Sequence, residues 1–205
     1  MKVVTAIRRN VIVIGASSGG VQALQYLCRM LPRSFPAVVG VVIHRSPFYV
    51  SNIEAIYGKR DRIRVREAKM GDVLEEGTAY FAPSDHHMQF QLDGVRLTRG
   101  PKMSFTRPAA DALFLSAAAS FGERVAGVIL TGGGSDGAHG LIAIKEHGGK
   151  SIVQDPEEAI DPSMPVNGIL EDSVDYVVSL ADLPPLLLDL AMGRAAEGTL
   201  ARHTE

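Results

Sequence analysis

The 205-residue chain is long enough for one well-buried core, and its 46% hydrophobic and 21% charged content is ordinary for a globular protein. A formal net charge of −2 excludes a general electrostatic pull toward nucleic acid or anionic membrane, and no apolar run approaches the length that spans a bilayer. The single cysteine, Cys28, excludes an internal disulfide, and the first ten residues lack an apolar stretch followed by a small-residue cleavage site, so a cytoplasmic protein is expected.

Val11-Ile12-Val13-Ile14 is a continuous apolar run too short for a helix and reads as a buried parallel strand. After Gly19-Gly20, residues Val21, Leu24, Leu27, Cys28 and Leu31 share one helical face, which places Cys28 in the core, and Pro32 stops that helix. Residues 37–43 repeat the strand signal. In the middle, 79–82 reads as a strand, while 87–92 and 95–99 flank Asp93-Gly94, a two-residue loop that predicts an antiparallel hairpin. Residues 108–121 predict a helix, 126–130 a strand, 138–147 a helix ended by Gly148-Gly149, 151–154 and 175–179 two more strands, and 181–192 a last helix. Such alternation predicts an α/β fold: a doubly wound, mostly parallel sheet with the antiparallel hairpin at one edge. One domain is expected over residues 1–205, with its core at about 10–192 and a polar, frayed tail after Gly193.

Three strand ends carry reactive side chains. Gly15-Ala16-Ser17-Ser18-Gly19-Gly20 follows the first strand and opens the first helix, matching the Gly-x-Ser-x-Gly pattern that exposes a nucleophilic serine on a tight turn. His44 follows the second strand, where ligand crevices of open α/β sheets form. A serine hydroxyl is a weak nucleophile at neutral pH and needs such an imidazole base. Asp136 lies in Thr131-Gly132-Gly133-Gly134-Ser135-Asp136-Gly137 after a third strand, where it could orient His44. The backbone N–H groups of Ser18, Gly133 and Gly134 are candidates for an oxyanion hole or the site rim. Taken singly, each residue has a plainer role: Ser17, Ser18 or Asp136 as a helix N-cap, His44 as a surface histidine. Taken together they predict a serine hydrolase with Ser17 as nucleophile, His44 as base and Asp136 as the orienting carboxylate. His139 is the rival base. Adjacent His86 and His87 point to opposite faces of an extended segment, which disfavours shared metal ligation, and no metal or organic cofactor is expected.

The order Ser…His…Asp differs from that of the α/β-hydrolase superfamily. From about residue 11 to 187 the chain instead resembles the catalytic domain of the chemotaxis protein-glutamate methylesterase (CheB-type) family. The carriers are Ile14-Gly15-Ala16-Ser17-Ser18-Gly19-Gly20, His44, Tyr80-Phe81-Ala82-Pro83-Ser84-Asp85-His86-His87-Met88, and Arg107-Pro108-Ala109-Ala110-Asp111-Ala112-Leu113-Phe114. Gly127-Val128-Ile129-Leu130-Thr131-Gly132, Gly134-Ser135-Asp136-Gly137, Gln154-Asp155 and Ser163-Met164-Pro165 complete the set. The resemblance implies a triad of Ser17, His44 and Asp136, hydrolysis of glutamate γ-methyl esters on methylated chemoreceptor cytoplasmic helices or a related signalling protein, and deamidation of certain receptor glutamines. The usual member also carries an N-terminal receiver domain, whereas only about ten residues precede the first strand here; the chain is read either as a stand-alone form, for which a receiver-domain protein in trans is one expected partner, or as part of a longer protein. Two further departures are Gly133, where the family commonly has methionine beside the reacting centre, and Arg45-Ser46-Pro47-Phe48-Tyr49, where it often has Met-Pro followed by Phe. Two alternatives stay open: a non-catalytic receptor- or partner-binding module with this fold, and a hydrolase of a different ester or amide.

Overall fold

A computed structural model describes residues 7–45, 52–171 and 174–194; the polar tail from 195 lies outside them. Seven parallel strands form one sheet: β1 (Val11–Ala16), β2 (Val38–Ile43), β3 (Arg64–Glu67), β4 (Thr78–Phe81), β7 (Val125–Ile129), β8 (Lys150–Gln154) and β9 (Tyr176–Val178). Their order across the sheet is β3-β4-β2-β1-β7-β8-β9. The central strands β1 and β2 are buried at every position, as their unbroken apolar sequences require.

Helices cover both faces. On one face α1 (Gly20–Met30), the short α2 (Ile53–Tyr57) and α6 (Leu183–Met192) contribute Leu24, Leu27, Tyr57, Leu187 and Leu190 to the core. On the other, α3 (Ala110–Phe121), α4 (Ala138–Glu146) and α5 (Ser163–Glu171) contribute Leu113, Phe114, Leu141, Ile144 and Met164. Helix α1 ends at Met30 because Leu31 precedes Pro32 and adopts extended geometry, φ −71° and ψ 127°. Cys28 is buried, and burial pushes its thiol up to about 12, which keeps it protonated and inert as core filling.

The Asp93-Gly94 hairpin forms, but its location differs from the expected one. Strands β5 (His87–Gln91) and β6 (Gly94–Thr98) make a separate two-stranded sheet. The hairpin lies on α3, with Met88 and Phe90 in the core and the Phe90 N–H donating to Ser116 Oγ at 3.1 Å. The edge of the main sheet beyond β4 is taken instead by β3. Its sequence, Arg-Val-Arg-Glu, has the charge of a strand that guards an exposed edge, and so lacks the apolar signal of a strand. The sequence reading also lacks α2, only five residues long, and α5, whose Pro165 is tolerated because it falls in the first turn.

The topology reverses at β1 and β7. Strand β1 leads through α1 toward β2 on one side, whereas β7 leads through α4 toward β8 on the other. Their connections diverge and open a crevice at the carboxyl ends of these strands.

Helices α3 and α4, which flank that crevice, cap each other. Neither has a capping side chain of its own: Ala109 precedes α3 and Gly137 precedes α4. Asp136, just before α4, accepts the N–H groups of Ala110 at 2.6 Å and Asp111 at 3.0 Å. Asp111, in the first turn of α3, accepts those of Gly137 at 3.1 Å and Gly140 at 2.8 Å through Oδ1. Both carboxylates are buried. Burial first, and then the neighbouring charge of Asp136, raise the Asp111 pKa, with the N–H of Gly140 opposing. The folded chain therefore holds this proton to higher pH than the unfolded chain does, and stability falls as pH rises from the ordinary carboxylate range through the raised pKa. Asp111→Asn keeps the accepting oxygen and loses the charge, so its melting temperature should gain on the parent as pH goes from weakly acidic to neutral. Asp111→Ala strands two buried N–H groups at about 1–3 kcal/mol each and should melt lower at every pH. Thermal unfolding of the three proteins across that range is the measurement.

Candidate active site

The parallel register brings the three strand ends together. Ala16, the last residue of β1, pairs with Ile43, the last of β2, and the His44 N–H donates to Ala16 O at 3.1 Å. The Ser17 N–H donates to Thr131 O at 3.0 Å, which joins the turn after β1 to the loop after β7. Ser17 and His44 thus leave neighbouring strands at the same level, and the loop carrying Asp136 crosses beside them.

His44 Nε2 lies 2.7 Å from Asp136 Oδ2, with the imidazole 16% exposed and the carboxylate 2%. An ionised carboxylate only accepts, so Nε2 carries the hydrogen and Nδ1 holds the lone pair of the neutral ring. Asp136 Oδ2 also accepts from Ala110 N–H, and the Thr106 hydroxyl lies 3.3 Å from it; Oδ1 accepts from Asp111 N–H. With three N–H donors on its two oxygens, the buried charge is held in one orientation. Ser17 is half-buried and, among the described residues, its hydroxyl makes no hydrogen bond to His44.

The glycine of Thr131-Gly132 is required by close approach: a Cβ on Gly132 would lie 2.7 Å from Ser17 Cβ. Thr131 ties three loops together. Its N–H donates to Gln154 Oε1 at 2.9 Å, its hydroxyl to Ser18 O at 2.9 Å, and the same oxygen accepts from Asp161 N–H at 2.9 Å. Gly132 N–H donates to Asp161 O, and Met164 N–H to Gly132 O. Gly133 faces the Asp161 carboxylate, whose Oδ2 would lie 3.0 Å from a Cβ at that position. Hydrogen bonds from the hydroxyl and N–H of Ser163 hold the Asp161 carboxyl below the usual range. The N–H groups of Ser18, Gly133 and Gly134 make no backbone hydrogen bond among the described residues.

Other residues singled out in the sequence lie elsewhere. His139 is exposed on α4, 3.9 Å from Asp111 and 3.8 Å from Glu171, rather than against Asp136. His86 receives the Arg99 Nε–H, and buried His87 bridges Pro101 O and Ala109 N–H, so the two face different partners. Arg45 bonds Glu67 and Ala82 O, whereas residues 46–49, where the family often has Met-Pro and Phe, lie outside the described residues. Sequence reasoning gave no role to Thr106, Asp111, Thr131 or Asp161. Asp111 alone had a signal, as a carboxylate in an otherwise alanine-rich, apolar helix start.

Residues 12–187 match the family model described as CheB methylesterase. A protein-glutamate methylesterase/protein-glutamine glutaminase of Pyrococcus abyssi is 39% identical over 199 residues, which are 95% of this chain and 54% of that protein. Protein-glutamate methylesterase FrzG of Myxococcus xanthus is 36% identical over 178 residues, 86% of this chain and 53% of its own length. The chain thus spans about half the length of these relatives, though it covers 93% of a Leptospira interrogans protein that is 37% identical over 180 residues. The crystal structure of the Thermotoga maritima CheB methylesterase catalytic domain superposes with a TM-score of 0.79 at 31% identity, covering 88% of this chain and 98% of that one. A family match over most of the chain, and a solved catalytic domain that shares its fold, lead to one conclusion: this chain belongs to the CheB methylesterase family.

Proposed function

We propose that the chain is a serine hydrolase that cleaves glutamate γ-methyl esters on methylated chemoreceptors or a related signalling protein, and deamidates glutamines at such sites, through Ser17, His44 and Asp136. The observation that carries this reading is the 2.7 Å bond between His44 and buried Asp136 at the strand end next to Ser17. Residues of these types at adjacent strand ends supply a nucleophile, a base and a fixed counter-charge. The names of the relatives support the same chemistry.

In the proposed reaction, Ser17 Oγ attacks the γ-carbonyl carbon and its proton passes to His44 Nδ1, the nitrogen that Asp136 leaves free. Serine–histidine contacts of this kind are often long before substrate binds and tighten in the complex. Negative charge moves to the carbonyl oxygen, which the unengaged N–H groups of Ser18, Gly133 or Gly134 would receive near the start of α1. As the C–O bond breaks, His44 returns the proton and methanol leaves; from glutamine, ammonia leaves. Water then attacks the acyl-enzyme, its proton passes through His44 to Ser17, and glutamate is released. None of these steps calls for a metal or an organic cofactor. The reading takes the described residues as one catalytic unit, on which a receiver-domain protein can act in trans. Among them no helix is long and apolar enough to cross a membrane; a cytoplasmic location fits the reading.

Methanol release from a methylated receptor, followed by gas chromatography, is the direct test. Ser17→Ala should lower kcat by about 10³-fold or more, and full activity in that variant would overturn the mechanism. Asp136→Asn should lower kcat by about 10²–10⁴-fold and also lower the melting temperature, because an amide presents one accepting oxygen to donors that now use two. Binding of a methylated receptor without turnover would instead favour a non-catalytic module.

A further inference from the structure

Beside His44 a cavity of about 360 Å³ opens, bounded by Arg45, Lys102, Phe105 and Arg107. Phe105 is 96% exposed. It has φ 63°, and Ser104 before it has φ 46°, both in the left-handed region that non-glycine residues avoid. An exposed aromatic ring on unfavourable backbone adds nothing to the stability of the isolated fold.

The loop that displays it is nevertheless firmly held. Met103 and Thr106 exchange backbone hydrogen bonds at 3.2 and 2.8 Å, and the Thr106 hydroxyl lies 3.0 Å from Met103 O and 3.3 Å from Asp136 Oδ2. His87 grips both ends of the loop, with Nε2 at 2.9 Å from Pro101 O and Nδ1 accepting the Ala109 N–H at 3.3 Å. Arg107 donates to Gly100 O at 2.8 Å and to Asp85. The backbone that carries Phe105 therefore holds a defined position relative to Asp136, so a ligand has only the ring itself to order.

The surrounding charge selects a partner. Arg45 pairs with Glu67, and Arg107 and Arg99 share Asp85, while exposed Lys102 makes no ion pair among the described residues. An apolar ring next to an unneutralised cation fits a protein segment that offers an apolar side chain beside an acidic one.

Resting on the esterase reading, we propose that Phe105 is a specificity-determining anchor for the protein substrate, covering an apolar residue of the ester-bearing segment while Lys102 meets an acidic neighbour. Rigid aromatic side chains at the centre of a contact commonly dominate its energy.

The test uses two probes: a fluorescein-labelled helical peptide of glutamate, alanine and leucine with one glutamate γ-methyl ester, and N-acetylglutamate γ-methyl ester, which carries no neighbouring apolar or acidic residue for Phe105 and Lys102 to meet. Phe105→Ala should raise the peptide Kd about tenfold and lower the ratio of kcat/KM for peptide over small ester by a similar factor, with Phe105→Leu between it and the parent. Lys102→Ala should weaken the peptide but not a version with its unesterified glutamates replaced by glutamine. An unchanged peptide Kd in Phe105→Ala, an equal loss on both esters, or a parent that does not bind the peptide would overturn the proposal. A parent that binds the peptide but hydrolyses neither ester would overturn the esterase reading instead, and the Kd comparison would still decide the role of Phe105.

Discussion

A buried carboxylate in a low-dielectric interior must be compensated where it stands, and Asp136 is such a group. Two of its partners are the first N–H groups of α3, which no side chain of α3 itself satisfies. One contact thus settles two debts: the charge finds donors, and the helix start finds an acceptor. This requirement places α3 with its N-terminus at the carboxyl edge of the sheet. The chain leading into α3 must then run across the mouth of the site, which is why residues 99–109 carry Thr106 to Asp136 and Phe105 to the rim of the cavity. The return contact from Asp111 to the start of α4 closes the pair, so neither helix can shift without uncovering a buried charge.

The sheet supplies the other half of the geometry. Residues immediately beyond the ends of adjacent parallel strands emerge at one level, so the pairing of Ala16 with Ile43 is enough to set Ser17 and His44 side by side. Divergence of the connections after β1 and β7 then leaves that level open to solvent instead of covering it with a helix. Thr131 fixes the remaining freedom, because one buried threonine serves the serine turn, the glycine loop and the Asp161 loop together. Ser17 and His44 are therefore placed mainly by backbone hydrogen bonds at strand ends, and Asp136 by the bonds of its carboxylate to the start of α3.

This division explains what could be read in the sequence. Strands β1, β2 and β7 were legible because a strand buried on both faces is written as an apolar run broken only by glycine; Ser17 and His44 were legible as polar residues directly after two of them, and Asp136 as the carboxylate of the glycine-rich loop after the third. The hairpin was legible from Asp93-Gly94, but its location was not: turn chemistry fixes a local pairing and says nothing of whether an edge is vacant, and here charged β3 occupies it. Asp111 and Thr106 escaped because their partners lie 25 to 30 residues away across a helix pair, a relation that carries no period or spacing. The departure at Gly133 is visible in the sequence, but its setting is not: a Cβ there would lie only 3.0 Å from Asp161 Oδ2.

The segment 99–109 combines opposite behaviours within a few residues. Thr106 turns its hydroxyl inward to a buried charge, while Phe105, its neighbour, turns an aromatic ring outward. Folding alone would favour neither the left-handed backbone at Ser104 and Phe105 nor the exposed ring. Local strain persists only where surrounding contacts over-determine the conformation, and here His87, Arg107 and the Met103–Thr106 pairing do so. The same loop is tied to the buried carboxylate of Asp136 through Thr106. The exposed ring of Phe105 and the inward hydroxyl of Thr106 are thus adjacent in one hydrogen-bonded loop, whereas Ser17, His44 and Asp136 stand on other elements that this loop bonds, among the described residues, only at Asp136.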